Sequence, residues 1–89
     1  MQAANIVQKI APAYPREARA RHIQGVVQLM ALIGLDGKVL YLRPDSGPPE
    51  LIPASLEAVR QWEYKPTTLN GKPCYVVTRI DITFTLSSR

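Results

Sequence analysis

The chain has one cysteine and one histidine in its 89 residues, no long apolar run and no dense block of like charge. A lone cysteine, Cys74, excludes an internal disulfide. One histidine and one cysteine are too few to hold a metal unless carboxylates converge from distant loops. The longest apolar stretch, Leu29 to Leu35, falls far short of the roughly 20 residues that span a membrane as a helix. No hydrophobic signal region opens the sequence, so it carries no export instruction of its own. That leaves open a domain cut free of a leader and an anchor.

Charge and chemistry narrow the classes further. Eleven basic and seven acidic residues give a net charge of +4, a mild bias toward acidic partners. The basic residues are scattered, at Arg16, Arg19 and Arg21 and again at Arg60, Lys65 and Lys72, without interleaved aromatics. Nucleic acid is therefore not an expected partner. His22 falls at a helix-to-strand junction and reads as a boundary residue. Cys74 lies on a core-facing parity and reads as an inert packed thiol. Glu57 and Glu63 do not share a helix face, Asp36 belongs to a turn, and Asp45 and Glu50 fall in a loop or at a helix start. None of these forms an acid/base pair. Gly34, Gly37 and Gly47 lack the spacing of a phosphate-binding loop. Neither an enzyme nor a cofactor is expected.

What is present is an ordinary globular composition, 46% hydrophobic and 20% charged, on a chain long enough for one modest core. Residues 1–13, with Ile6, Val7 and Ile10, read as an extended lead-in or a short strand. Residues 14–89 read as the folded domain. Pro15 suits the first turn of a short helix over Pro15 to Arg21. Ile23, Val27, Leu29, Ala31 and Ile33 share one parity, and the opposite parity turns apolar toward the end, as in a central strand. Asp36-Gly37 is a reversal signal, and Val39 to Arg43 returns as the second arm of a hairpin. Pro44 to Pro49 reads as a surface loop. Ile52, Leu56, Val59 and Trp62 predict an apolar stripe on a helix over Pro53 to Trp62. Asn70-Gly71 makes a second turn.

The last strand is expected over Pro73 to Leu86. Cys74, Val76, Thr78, Ile80, Ile82, Phe84 and Leu86 face inward; Tyr75, Val77, Arg79, Asp81, Thr83 and Thr85 face outward. The pattern predicts an α+β fold in two layers: short helix, β-hairpin, helix and long C-terminal strand. The three strands form an antiparallel sheet with both helices on one face. Trp62 is expected to anchor the core, and Tyr64 to cap its edge with a wet hydroxyl.

Several motifs, taken in order, resemble the C-terminal domain of TonB-type energy transducers. They are Tyr14-Pro15, Ala18, Ile23-Gln24-Gly25 with Val27, Asp36-Gly37 with Val39, Ala58-Val59, Trp62 with Tyr64 and Pro66, and Phe84. The resemblance runs from about Tyr14 to Leu86 and gives Tyr14, Pro15, Gly25, Gly37, Trp62, Tyr64 and Pro66 structural roles. It implies a periplasmic domain at the end of an inner-membrane-anchored protein of a Gram-negative bacterium. Such a domain grips the N-terminal TonB box of outer-membrane receptors and transmits force for nutrient uptake. Motor proteins of the ExbB and ExbD type would be reached only through an N-terminal anchor that these residues do not include.

The implied contact is strand addition along Arg79, Ile80, Asp81, Ile82, Thr83, Phe84, Thr85 and Leu86, with a second contact at Ala11 and Pro12. Ala11 stands where a family member has a receptor-contacting glutamine, and alanine cannot make that hydrogen bond. The alternative reading is a TonB-like interaction module repurposed in another envelope system. It would include a homodimer formed by strand exchange.

Overall fold

The computed structural model describes residues 6–86. The outer parts of the expected lead-in and domain, residues 1–5 and 87–89, lie outside the described residues. In chain order the elements are β1 (Ile6–Gln8), α1 (Arg16–Ala20), β2 (Gly25–Ile33), β3 (Val39–Ser46) and α2 (Ile52–Val59). They are followed by β4 (Glu63–Tyr64), β5 (Thr67–Leu69), β6 (Lys72–Cys74) and β7 (Val76–Phe84).

The alternating pattern builds an antiparallel sheet in the order β3-β2-β7, with the helices on one face. β2 is central, as its two-sided apolar character predicts. Its inward residues Val27, Leu29, Ala31 and Ile33 meet Val76, Ile80, Ile82 and Phe84 of β7 in one core. Ala18 of α1 and Leu51 and Val59 around α2 close that core from above. Fully burying a side chain of the size of Leu29 or Val59 is worth about 1.5–3 kcal/mol, so these two layers are where stability concentrates.

Several boundaries differ from the sequence expectation, each for a physical reason. α1 begins at Arg16 because Pro15, at ψ 138°, is the extended N-cap. α2 ends at Val59, and tight turns carry the chain through Gln61 to Trp62, outside the helix. The buried line of α2 is Leu51, Ser55, Ala58 and Val59, one position off the expected stripe, while Ile52 and Leu56 lie half-buried on its flank. Ser55 fits there because its hydroxyl donates to the Leu51 carbonyl at 3.0 Å.

β3 runs on to Ser46 through the segment expected as a loop. Pro44 is tolerated because β3 is an edge, where a missing N–H need cost no ladder bond. The expected final strand divides at Tyr75. Its first part, β6, pairs with β5 across the Asn70-Gly71 turn, and only β7 joins the main sheet. The ladder ends at Phe84, so Thr85 and Leu86 follow the strand rather than belonging to it.

The lead-in contains a strand. β1 pairs with β4, placing Ile6 opposite Tyr64 and Gln8 opposite Glu63.

Candidate functional site

The two edges of the sheet are unlike one another. β7 keeps unbroken register with β2, from Gly25 opposite Phe84 to Ile33 opposite Val76. β3 slips register twice against β2 and carries Pro44, and its Arg43 and Asp45 pair with each other at 3.3 Å. Bulges, proline and charge are the devices that blunt an edge against further pairing. β3 has all three, whereas β7 is regular. Among the described residues, β7 pairs with no strand except β2. In an antiparallel strand, alternate residues aim their N–H and C=O away from the neighbour, so β7 presents a row of unpaired backbone groups.

A slot of about 230 Å³ opens beside this edge, lined by Ile6, Lys9, Trp62, Tyr64, Thr78, Arg79, Ile80 and Asp81. Two remote segments therefore meet at the middle of β7. Trp62 and Tyr64 arrive there because the chain leaves α2 in a tight turn and then pairs β4 with β1. Trp62 is 3% exposed, and its indole N–H donates to the Ile10 carbonyl at 2.8 Å. The Lys9 ammonium lies 5.4 Å from the centre of its ring. Tyr64 is buried, and desolvation pushes its phenol above the usual value of 10.0.

The Asp36-Gly37 turn fixes this corner from the other side. Gly37 accepts a hydrogen bond from the Tyr64 N–H at 2.8 Å. Its φ is +87°, and a Cβ added there would fall 1.9 Å from the Tyr64 carbonyl oxygen. Only glycine permits that approach. Pro66 follows on the exposed side, and Gly25, at the start of β2, lies beneath Pro48.

At the far end of β7, the Tyr14 hydroxyl donates to the Ile23 carbonyl. The Tyr14 ring meets Phe84 edge-on at 5.3 Å, with the Arg19 guanidinium also 5.3 Å from the ring centre. Pro15, half-buried, leads from this ring into α1. The Leu86 N–H donates to the Gln24 side chain at 2.8 Å, which ties the segment after β7 back to the start of β2.

The structure thus gathers Arg79, Ile80 and Asp81 in the slot and strings Ile82, Thr83 and Phe84 along the same strand. Arg79, Asp81 and Thr83 are exposed, and Ile80, Ile82 and Phe84 are buried. Ala11 lies elsewhere, in a shallow groove against α2 with Ile10, Ala13, Ala54, Glu57, Ala58 and Gln61. Pro12, half-buried, is its neighbour in the chain. Ile6 and Lys9 were not anticipated as slot residues. The apolar spacing of Ile6, Val7 and Ile10 is a sequence signal for Ile6 alone; Lys9 has none.

His22 is exposed at φ 57° between α1 and β2. The Cys74 thiol is half-buried, 3.5 Å from the Thr67 carbonyl. Among the described residues, no group of three or more His, Cys, Asp or Glu side chains converges as a metal site. Among the same residues, no helix is long and apolar enough to cross a membrane.

Comparison with known proteins follows the same lines. Residues 10–86 match the family model described as the Gram-negative bacterial TonB protein C-terminal. Protein TonB of Vibrio cholerae serotype O1 is 35% identical over 80 residues, covering 88% of this chain and 33% of that protein. The chain therefore spans about a third of the length of this curated relative. The solution NMR structure of the Pseudomonas aeruginosa TonB CTD is 23% identical and superimposes with a TM-score of 0.81. It covers all of this chain, 100%, and is itself covered to 92%, a likeness of fold.

Proposed function

The chain belongs to the TonB C-terminal domain family, and we propose that it is the periplasmic, receptor-binding end of an energy-transducing protein. In this reading it is a non-catalytic adaptor. Its ligand is the extended N-terminal TonB box of an outer-membrane receptor, and its task is to hold that peptide while tension is applied. The full protein would be anchored in the inner membrane and driven there by motor proteins of the ExbB and ExbD type.

The observation that carries the mechanism is the regular edge of β7, unpaired among the described residues, beside a slot whose walls mix apolar and polar side chains. An extended peptide adds there as a fourth strand. Its backbone pairs with outward-directed groups of β7, which makes few demands on side-chain identity. Every second peptide side chain turns toward Ile6, Trp62, Tyr64 and Ile80; those between face solvent near Arg79, Asp81 and Thr83. Beyond the slot, Ile82 and Phe84 hold β7 on the core, while Thr85 and Leu86 extend the contact past the strand's end. Ala11, in the groove against α2, and its chain neighbour Pro12 would supply a separate receptor contact, without the side-chain hydrogen bond that a glutamine makes at this position. Because β7 is paired with β2 along its whole length, a pull on the added strand is shared by the sheet.

The test is an amide chemical-shift titration of the isotope-labelled domain with N-terminal peptides from outer-membrane receptors of the same organism. Saturable shifts along Arg79 to Leu86 and at the Trp62 indole are expected. A folded domain that responds to none of these peptides would overturn the transport reading and favour a repurposed interaction module.

A further inference from the structure

The sheet face opposite the helices is not uniform. At one end it is polar, with Ser46, Gln28 and Asp81 aligned across the three strands. That is normal for a face turned to water. At the other end Tyr41, Leu32 and Val77 form one cross-strand row, and Arg43, Met30 and Arg79 form the next. Tyr41 is 61% exposed and Val77 66%. A depression of about 320 Å³ runs over this end, lined by Met30, Leu32, Tyr41, Arg43 and Val77, with Ala31 beneath. Tyr75, two residues before Val77, is also exposed. Nothing in the core requires these apolar side chains, since the inward parity alone fills it.

We propose that this end of the open face is a second docking surface, adjoining the β7 edge and sharing Arg79 with it, for a protein segment whose apolar side chains are flanked by carboxylates. The charge pattern selects that occupant. Arg43 and Arg79 stand on either side of Met30, roughly 10 Å apart at two strand spacings. They border the apolar row in a chain whose net charge is already +4. Arg43 has only the exposed Asp45 as an ion-pair partner, and Arg79 has none among the described residues. A carboxylate-flanked apolar ridge matches both rows at once, burying Tyr41, Leu32 and Val77 while the arginines set its orientation.

The test uses two helical peptides of one design: leucine on one face, and either glutamate or lysine on the other. Each is titrated into the isotope-labelled domain, with phosphatidylglycerol vesicles in a third titration. The glutamate peptide is expected to shift Leu32, Tyr41, Arg43 and Val77 saturably and to bind at least tenfold more tightly than the lysine peptide. Arg43→Glu should weaken the glutamate peptide at least fivefold and improve the lysine one. Tyr41→Ser, checked for an unchanged melting temperature, should abolish the response. Equal binding of both peptides overturns the proposal, as does a response confined to the β7 edge. It also fails if only the vesicles shift these residues, or if the shifts appear on raising protein concentration alone.

Discussion

Gly37 shows how much a single position can decide. Its φ of +87° disfavours any side chain, and its contact with the Tyr64 carbonyl leaves no space for one. Gly71 has a similar φ of +78°, but a methyl group there would meet nothing within 4 Å. Gly37→Ala should therefore cost at least about 1 kcal/mol more than Gly71→Ala in urea unfolding, because only the former also displaces backbone. Equal losses would mean that the approach of the turn to β4 contributes nothing.

Tyr64 yields a pH dependence of defined sign. Desolvation favours its neutral phenol in the folded chain and raises its pKa above 10.0. Above pH 10 the unfolded chain loses this proton first. The native state then binds more protons, and stability falls as pH rises. The contribution is fully present below about pH 10 and is lost as pH rises through the folded value. Tyr64→Phe should flatten this part of the alkaline stability profile, measured by urea midpoints from pH 8 to 11. An unchanged slope would place the phenol in water.

Among the elements, the most legible were those that state their pattern locally. The parity of β2 and β7 separated buried from exposed residues, and Asp36-Gly37 and Asn70-Gly71 marked both turns. Parity could not see where the last strand breaks. Cys74 and Val76 keep the same alternation while the partner changes from Thr67 to Ile33. β1 stayed ambiguous because its partner β4 lies far along the chain, and three exposed residues carry little pattern of their own. For the same reason the β7 edge was legible as a candidate, but the slot walls Ile6 and Lys9 were not.

Strand addition at β7 makes a prediction that side-chain recognition does not. Only alternate peptide residues can direct their N–H toward the edge. In a scan of a bound receptor peptide, N-methylation at alternate positions should weaken binding about tenfold or more, near 1.4 kcal/mol, with the intervening positions nearly silent. Titration calorimetry reads this directly. A scan without period two would leave β7 as a surface for side chains and not a template for a strand.

Trp62 connects the core, the slot and the N-terminal segment, and two substitutions separate those roles. Its ring belongs to the buried cluster, while its N–H holds the Ile10 carbonyl at 2.8 Å. Trp62→Ala removes both. Deleting such a ring costs about 3–5 kcal/mol, a large share of the roughly 5–15 kcal/mol that a folded protein has to lose. Trp62→Phe keeps most of the apolar volume and removes the hydrogen bond, worth about 1 kcal/mol. Its effect should fall on β1, whose residues are all exposed and whose partner strand is only two residues long. Hydrogen exchange is therefore expected to rise near Ile6 to Ile10 in the Phe variant, while β2 and β7 stay protected. In the Ala variant all of these segments should lose protection together. If the Phe variant exchanged like the parent throughout, the N-terminal segment would be held by its backbone pairing with β4 and not by the indole. The slot wall would then survive without Trp62's hydrogen bond.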